Sequence, residues 1–131
     1  MILALVVPAQ PVRFAVVSDT QGDPVNEFTF PNVIQYVLDM SPPVEFVIVT
    51  GDLVWGVNND PDRTDRQFDH WRALTAPWFR SEMTGAKVYP VPGNHDARYP
   101  ARMQALCTRL FPGLPGTGPP HCPCANYSFD A

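Results

Sequence analysis

Val91-Pro92-Gly93-Asn94-His95-Asp96 is the stretch on which the reading of this chain turns. It follows a short run, Lys87 to Tyr89, that reads as a buried strand. Pro92 and Gly93 break that strand and turn the backbone. An amide, an imidazole and a carboxylate come next. A strand ending in Asn-His-Asp carries metal-ligand and proton-transfer groups at its C-terminal tip. Open α/β sheets bind their ligands at that edge. Taken alone, the stretch reads equally well as a turn in which Asn and Asp cap the backbone.

Working outward, the same arrangement occurs twice upstream. Arg13 to Ser18 is rich in Val and Phe and predicts a strand buried on both faces. Asp19-Thr20-Gln21-Gly22-Asp23 follows it directly. Val44 to Thr50 predicts a second strand, which runs into Gly51-Asp52. Between these strands Asn32 predicts a helix N-cap, with Gln35 completing a capping box. Val33, Tyr36, Val37 and Met40 would line one face of that helix, and Ser41-Pro42-Pro43 would stop it. Asn58 to Thr64 is polar and contains Pro61, so it reads as a loop. Asp65 to Phe79 predicts a second helix, with Phe68, Trp71, Leu74 and Trp78 on its packing face.

Downstream of the third strand, Pro100 opens a further amphipathic helix through Met103, Leu106, Cys107 and Leu110. A Pro/Gly-rich loop from Phe111 to Cys124 and a strand beginning at Tyr127 complete the pattern. The order β-α-β-α-β-α-β predicts an α/β fold, a parallel or mixed sheet with flanking helices.

Composition narrows the function classes. A length of 131 residues and a hydrophobic content of 45% suit one globular domain with a real core. The net charge of -4 leaves no basic footprint for nucleic acid. No apolar run is long enough to span a membrane. Met1 to Val7 is apolar, and Val7-Pro8-Ala9 before Gln10 resembles a small-residue cleavage site, yet no basic segment precedes it. Residues 1–11 therefore read as a lead-in or the remnant of a signal peptide. The second reading leans towards a secreted or periplasmic location, with the cytoplasm as the alternative. The three cysteines, Cys107, Cys122 and Cys124, cannot all pair within the chain. His121-Cys122-Pro123-Cys124 lacks the spacing and second pair of a structural zinc site.

A parallel sheet would bring the three polar tips to one edge: Asp19, Gln21 and Asp23; then Asp52; then Asn94, His95 and Asp96. Oxygen donors with few neighbouring cations suit hard or borderline divalent metals. A central carboxylate can bridge two such ions, which together activate water and clamp a phosphoryl group. His95 beside them could protonate a leaving oxygen or stabilise transition-state charge. Gly51 and Gly93 would let the backbone pass close by. No Gly-rich phosphate loop follows any strand, which ranks a plain nucleotide-binding domain last.

Asp19-Thr20-Gln21, Gly51-Asp52-Leu53-Val54 and Gly93-Asn94-His95-Asp96 together resemble, in order and spacing, the first three motifs of the calcineurin-like metallophosphoesterases. The resemblance covers about residues 12 to 130. It implies a four-layer α/β sandwich of which residues 12–131 would be the N-terminal half. It also implies two divalent metal ions (Mn, Fe, Zn or Mg) and hydrolysis of a phosphate ester. Carried over by position, Asp19 and Gln21 would hold the first metal, Asp52 would bridge both, and Asn94 would hold the second. His95 would be the catalytic imidazole, and Asp96 would orient it. The family usually has His where Gln21 stands; the Gln carbonyl oxygen is a weaker and harder donor. The later His and the Gly-His-x-His segment that complete the family's two metal shells have no counterpart here. The resemblance therefore implies a truncated domain that is weakly active or inactive, and a complementary C-terminal segment as partner. The rival expectation is a non-catalytic interaction module that retains half of the fold.

The spare polar and aromatic residues have milder readings. His70 and His121 read as structural or surface residues, Asp60, Asp62 and Asp65 as a solvated acidic loop. Trp55 reads either as a pocket wall or as simple loop packing.

Overall fold

The computed structural model describes residues 11–21, 28–57, 60–80 and 87–98. Asp23, the helix predicted from Pro100, the three cysteines, His121 and the strand predicted at Tyr127 lie outside these residues. Strand β1 is Phe14–Val17, helix α1 Phe30–Leu38, strand β2 Phe46–Thr50, helix α2 Pro61–Arg80 and strand β3 Lys87–Val91. A short 3₁₀ turn, Asp96–Arg98, follows. The strands form one parallel sheet in the order β1-β2-β3. Val17 pairs with Val49, and Thr50 with Val91, so the three C-terminal tips lie side by side. This is the expected α/β arrangement, a parallel sheet with flanking helices.

Parallel β-α-β crossovers are right-handed as a rule, and two of them advancing in one direction across the sheet put both helices on the same face. The packing agrees. Val47, Val49 and Val88 join Phe30, Ile34 and Val37 of α1 and Phe68, Trp71 and Trp78 of α2 in a single core. The Trp78 indole N–H donates to the Ile34 carbonyl and fastens the helices together (3.3 Å). The opposite sheet face carries an aromatic row. Phe14 stacks on Phe46, with centroids 5.1 Å apart, and Phe46 meets Tyr89 edge-on at 5.9 Å.

Five local expectations are corrected. β1 is not buried on both faces: Phe14 is 51% and Val16 55% exposed, because the helices cover only the other face and β1 is an edge strand among the described residues. Helix α1 begins at Phe30, so Asn32 lies inside it and is not its cap. Instead, Asn32 Nδ2 donates back to the Phe28 carbonyl (3.2 Å), and Gln35 pairs with Asp39. The earlier start rotates the buried stripe to Phe30, Ile34 and Val37 and leaves Tyr36 70% exposed. Helix α2 starts at Pro61, not Asp65, because Pro suits the first helical position and Asp60 caps the end. Asp60 Oδ1 accepts the Arg63 N–H (2.9 Å), so Asp60 is not merely a solvated acid.

Trp71 links the core to the first tip, since its fully buried indole N–H donates to Thr20 Oγ1 (2.8 Å). Trp71→Phe should leave that buried hydroxyl unpaired beside a small void. Equilibrium urea unfolding should show a loss of about 2–3 kcal/mol. A loss below about 0.5 kcal/mol would mean that α2 does not anchor the first tip.

Candidate metal and phosphoester site

Each tip leaves its strand by a backbone path that ordinary residues avoid. Among the described residues, Asp19 and Asp52 are the non-glycine residues with positive φ, at 53° and 50°. Left-handed backbone costs an L-residue about 1 kcal/mol or more, and Asp is among the residues that tolerate it best. Strain of this kind persists where the surrounding structure enforces it, and it clusters at functional sites. Two predicted metal-ligand carboxylates are thus held in strained backbone at adjacent strand ends.

Glycines make the approach between tips possible. Gly51 has φ 95°, and a Cβ built there would lie 2.8 Å from the Gly93 Cα. A Cβ on Gly93 would collide with Asp52 Oδ1 and with the Asp52 amide nitrogen. The loop after β3 therefore passes directly against the Asp52 carboxylate, in space that only Gly leaves open. Hydrogen bonds join the tips. The Asp19 N–H donates to the Gly51 carbonyl (3.3 Å), and the His95 N–H donates to Asp52 Oδ1 (3.0 Å).

Asp96 is 1% exposed, and its carboxylate accepts backbone N–H groups rather than bonding the His95 ring. Leu53 and Gly93 donate to Oδ2 (3.1 and 2.8 Å), and Val54 donates to Oδ1 (3.0 Å). Asp96 is a clamp between the second and third tips. Burial pushes its carboxyl above the ordinary carboxylate range; the three N–H bonds pull the other way, and the charge of Asp52 adds to the rise. His95 Nδ1 is bonded instead to the main-chain carbonyl of Trp55. The Trp55 indole lies over the imidazole, with centroids 4.8 Å apart and planes 37° from parallel.

Gln21 is buried beside Thr20, while Asn94 is exposed on the turn after β3. Asp19, Gln21, Asp52 and Asn94 would supply two carboxylates and two amide carbonyls, an oxygen-donor set that fits part of a hard divalent-cation site. Among the described residues no group of three or more His, Cys, Asp or Glu side chains could hold a metal ion. No described helix is long and apolar enough to cross a membrane.

Residues 12–128 match the family model for calcineurin-like phosphoesterases. The chain belongs to this family. Neither the curated proteins nor the solved structures give a match. Membership implies metal-dependent phosphoester hydrolysis as the family's chemistry, with divalent metals as its usual cofactors.

Residues without motif status hold the strand tips in place. The Gly56 N–H donates to Gln67 Oε1 (3.0 Å), the Val57 N–H to Thr64 Oγ1 (2.9 Å), and Arg98 to the Gly56 carbonyl (3.2 Å). Sequence reasoning passed over Gln67, Thr64 and Arg98. For Thr64 and Gln67 the one signal was a polar residue on the packing side of α2, where both are buried.

Asp96→Ala would strand three backbone donors, and chemical denaturation should register a loss of about 3 kcal/mol or more. Asp96→Asn allows a pH test on metal-free protein. Because folding raises the Asp96 pKa, its titration adds stability that is fully present below the unfolded value and is lost as pH rises through the folded one. The advantage of wild type over Asp96→Asn should therefore shrink with rising pH; an advantage that grows would contradict the dominance of burial. Gly93→Ala, which forces a Cβ against Asp52, should cost about 1–3 kcal/mol in the same measurement.

Proposed function

We propose that this chain carries the metal-binding and proton-transfer tips of a phosphate-ester hydrolase that works with two divalent ions, drawn from Mn, Fe, Zn or Mg. The observation that supports this most directly is the pair of strained carboxylates, Asp19 and Asp52, at neighbouring parallel strand ends, with Gly93 leaving room beside Asp52. Asp19 and Gln21 would hold one ion, Asn94 the other, and Asp52 would bridge them. When bound, such ions supply Lewis-acid charge and make water nucleophilic enough to attack phosphorus. The chain's own part is positional. Asp52 Oδ1 is engaged by the His95 N–H, so the same carboxylate fixes the place of the imidazole. His95, once its Nε2 has taken up a proton to give the imidazolium, would pass that proton to the leaving oxygen, while Asp96 keeps its backbone at a set distance from Asp52. The substrate is a phosphomonoester, a phosphodiester or a phosphoprotein.

The second reading, a non-catalytic interaction module with the same fold, draws on the lack of a three-residue His/Cys/Asp/Glu cluster among the described residues. Titration calorimetry with Mn²⁺, run beside an aryl-phosphate assay, separates the two. Asp52→Asn is the informative variant, because Asn tolerates left-handed backbone and can still accept the His95 N–H. The hydrolase reading expects Mn²⁺ binding that weakens at least about tenfold in Asp52→Asn. It also expects turnover that falls about a hundredfold or more in His95→Ala. A stably folded protein with neither binding nor turnover would establish the module instead.

A further inference from the structure

We propose that Trp55 is the positioning residue of His95, acting through its main-chain carbonyl and its indole together. The proposal rests on the reading of His95 as the proton-transfer group and deepens it. A carbonyl oxygen can only accept, so the Nδ1 bonded to Trp55 carries the ring proton. That fixes the tautomer. In that tautomer the lone pair is on Nε2. A hydrogen-bond partner on one ring nitrogen commonly sets the chemistry of the other in this way.

The backbone on both sides of that carbonyl is held by hydrogen bonds. On one side of Trp55, the Val54 N–H is held by Asp96 Oδ1. On the other, the Gly56 N–H is held by Gln67, the Gly56 carbonyl by Arg98, and the Val57 N–H by Thr64. The imidazole is fixed from its own end by the bond between the His95 N–H and Asp52. The ring therefore spans two anchored segments. The carboxylate that the sequence places next to His95 does not serve this purpose, because Asp96 spends its oxygens on three backbone donors. The Trp55 indole adds a wall against which the imidazole rests. Trp71 and Trp78 are fully enclosed by the core, whereas Trp55 is 44% exposed, so core packing does not account for its indole.

The test uses the whole chain with ¹⁵N-labelled histidine. Long-range imidazole spectra of wild type should show a protonated, pyrrole-type Nδ1 and a pyridine-type Nε2 at His95. The carbon-bound ring protons of His95 should carry a ring-current displacement. Trp55→Ala removes the indole but keeps the main-chain carbonyl, so it should abolish that displacement while Nδ1 stays protonated. Trp55→Phe keeps an aromatic face and should retain most of both signatures. Circular dichroism and the urea midpoint should match wild type in both variants. An Nε2–H tautomer in wild type overturns the proposal, as does an unchanged His95 spectrum in Trp55→Ala. The two readings fail separately. Unimpaired turnover in His95→Ala sinks the proton-transfer role and leaves the tautomer result standing; the wrong tautomer sinks the role of Trp55 even where His95→Ala abolishes turnover.

Discussion

The Asp96 carboxylate, sunk beneath the surface and bonded to the N–H groups of Leu53, Val54 and Gly93, fixes the relation between the second and third strand tips. Burying a carboxyl group is costly unless its oxygens find donors, and three backbone amides supply them here. The arrangement works in both directions. Without those amides the carboxyl would be intolerable in the interior; without the carboxyl the amides, which no sheet ladder uses, would be stranded. The close passage of Gly93 over Asp52 and the bond from the His95 N–H to Asp52 both depend on this clamp.

Helix α2 supplies the second frame. Its buried stripe contributes to the core, as any amphipathic helix does. Its polar side chains on the same side reach past the core to the tips: Thr64 and Gln67 to the second, and the Trp71 indole to the first. Local strain at Asp19 and Asp52 is sustained because the surrounding bonds leave the backbone no relaxed alternative. Order at the strand tips is thus set by tertiary contacts, while the strands themselves need only the sheet. A site made this way has little freedom to rearrange when a ligand arrives, which suits chemistry that demands fixed donor positions.

Much of this was written in the chain itself. Apolar, β-branched runs, each ending in a Gly or acidic turn, marked three parallel strands, because such runs favour the pleated backbone and the turns end them. The motif residues Asp19, Gln21, Asp52, Asn94, His95 and Asp96 were visible as polar groups at strand ends, and the family followed from their order. Helix α2 was legible from Phe68, Trp71 and Trp78, although Pro61 was taken for a loop residue when it opens the helix.

Tertiary structure decided what each polar group does. Adjacent in sequence, His95 and Asp96 suggested a side-chain pair, yet the 3₁₀ turn sends one carboxylate into the interior and leaves the imidazole to a carbonyl from another loop. The face of α1 shifted for a similar reason: where a helix begins is settled by Phe30 finding the indoles of Trp71 and Trp78, not by the nearest capping residue. Periodicity and turn chemistry act between neighbours in the chain and can be read from it. Partnerships across forty residues depend on which backbone donors the fold leaves unpaired, and those exist only once the strands have been laid side by side.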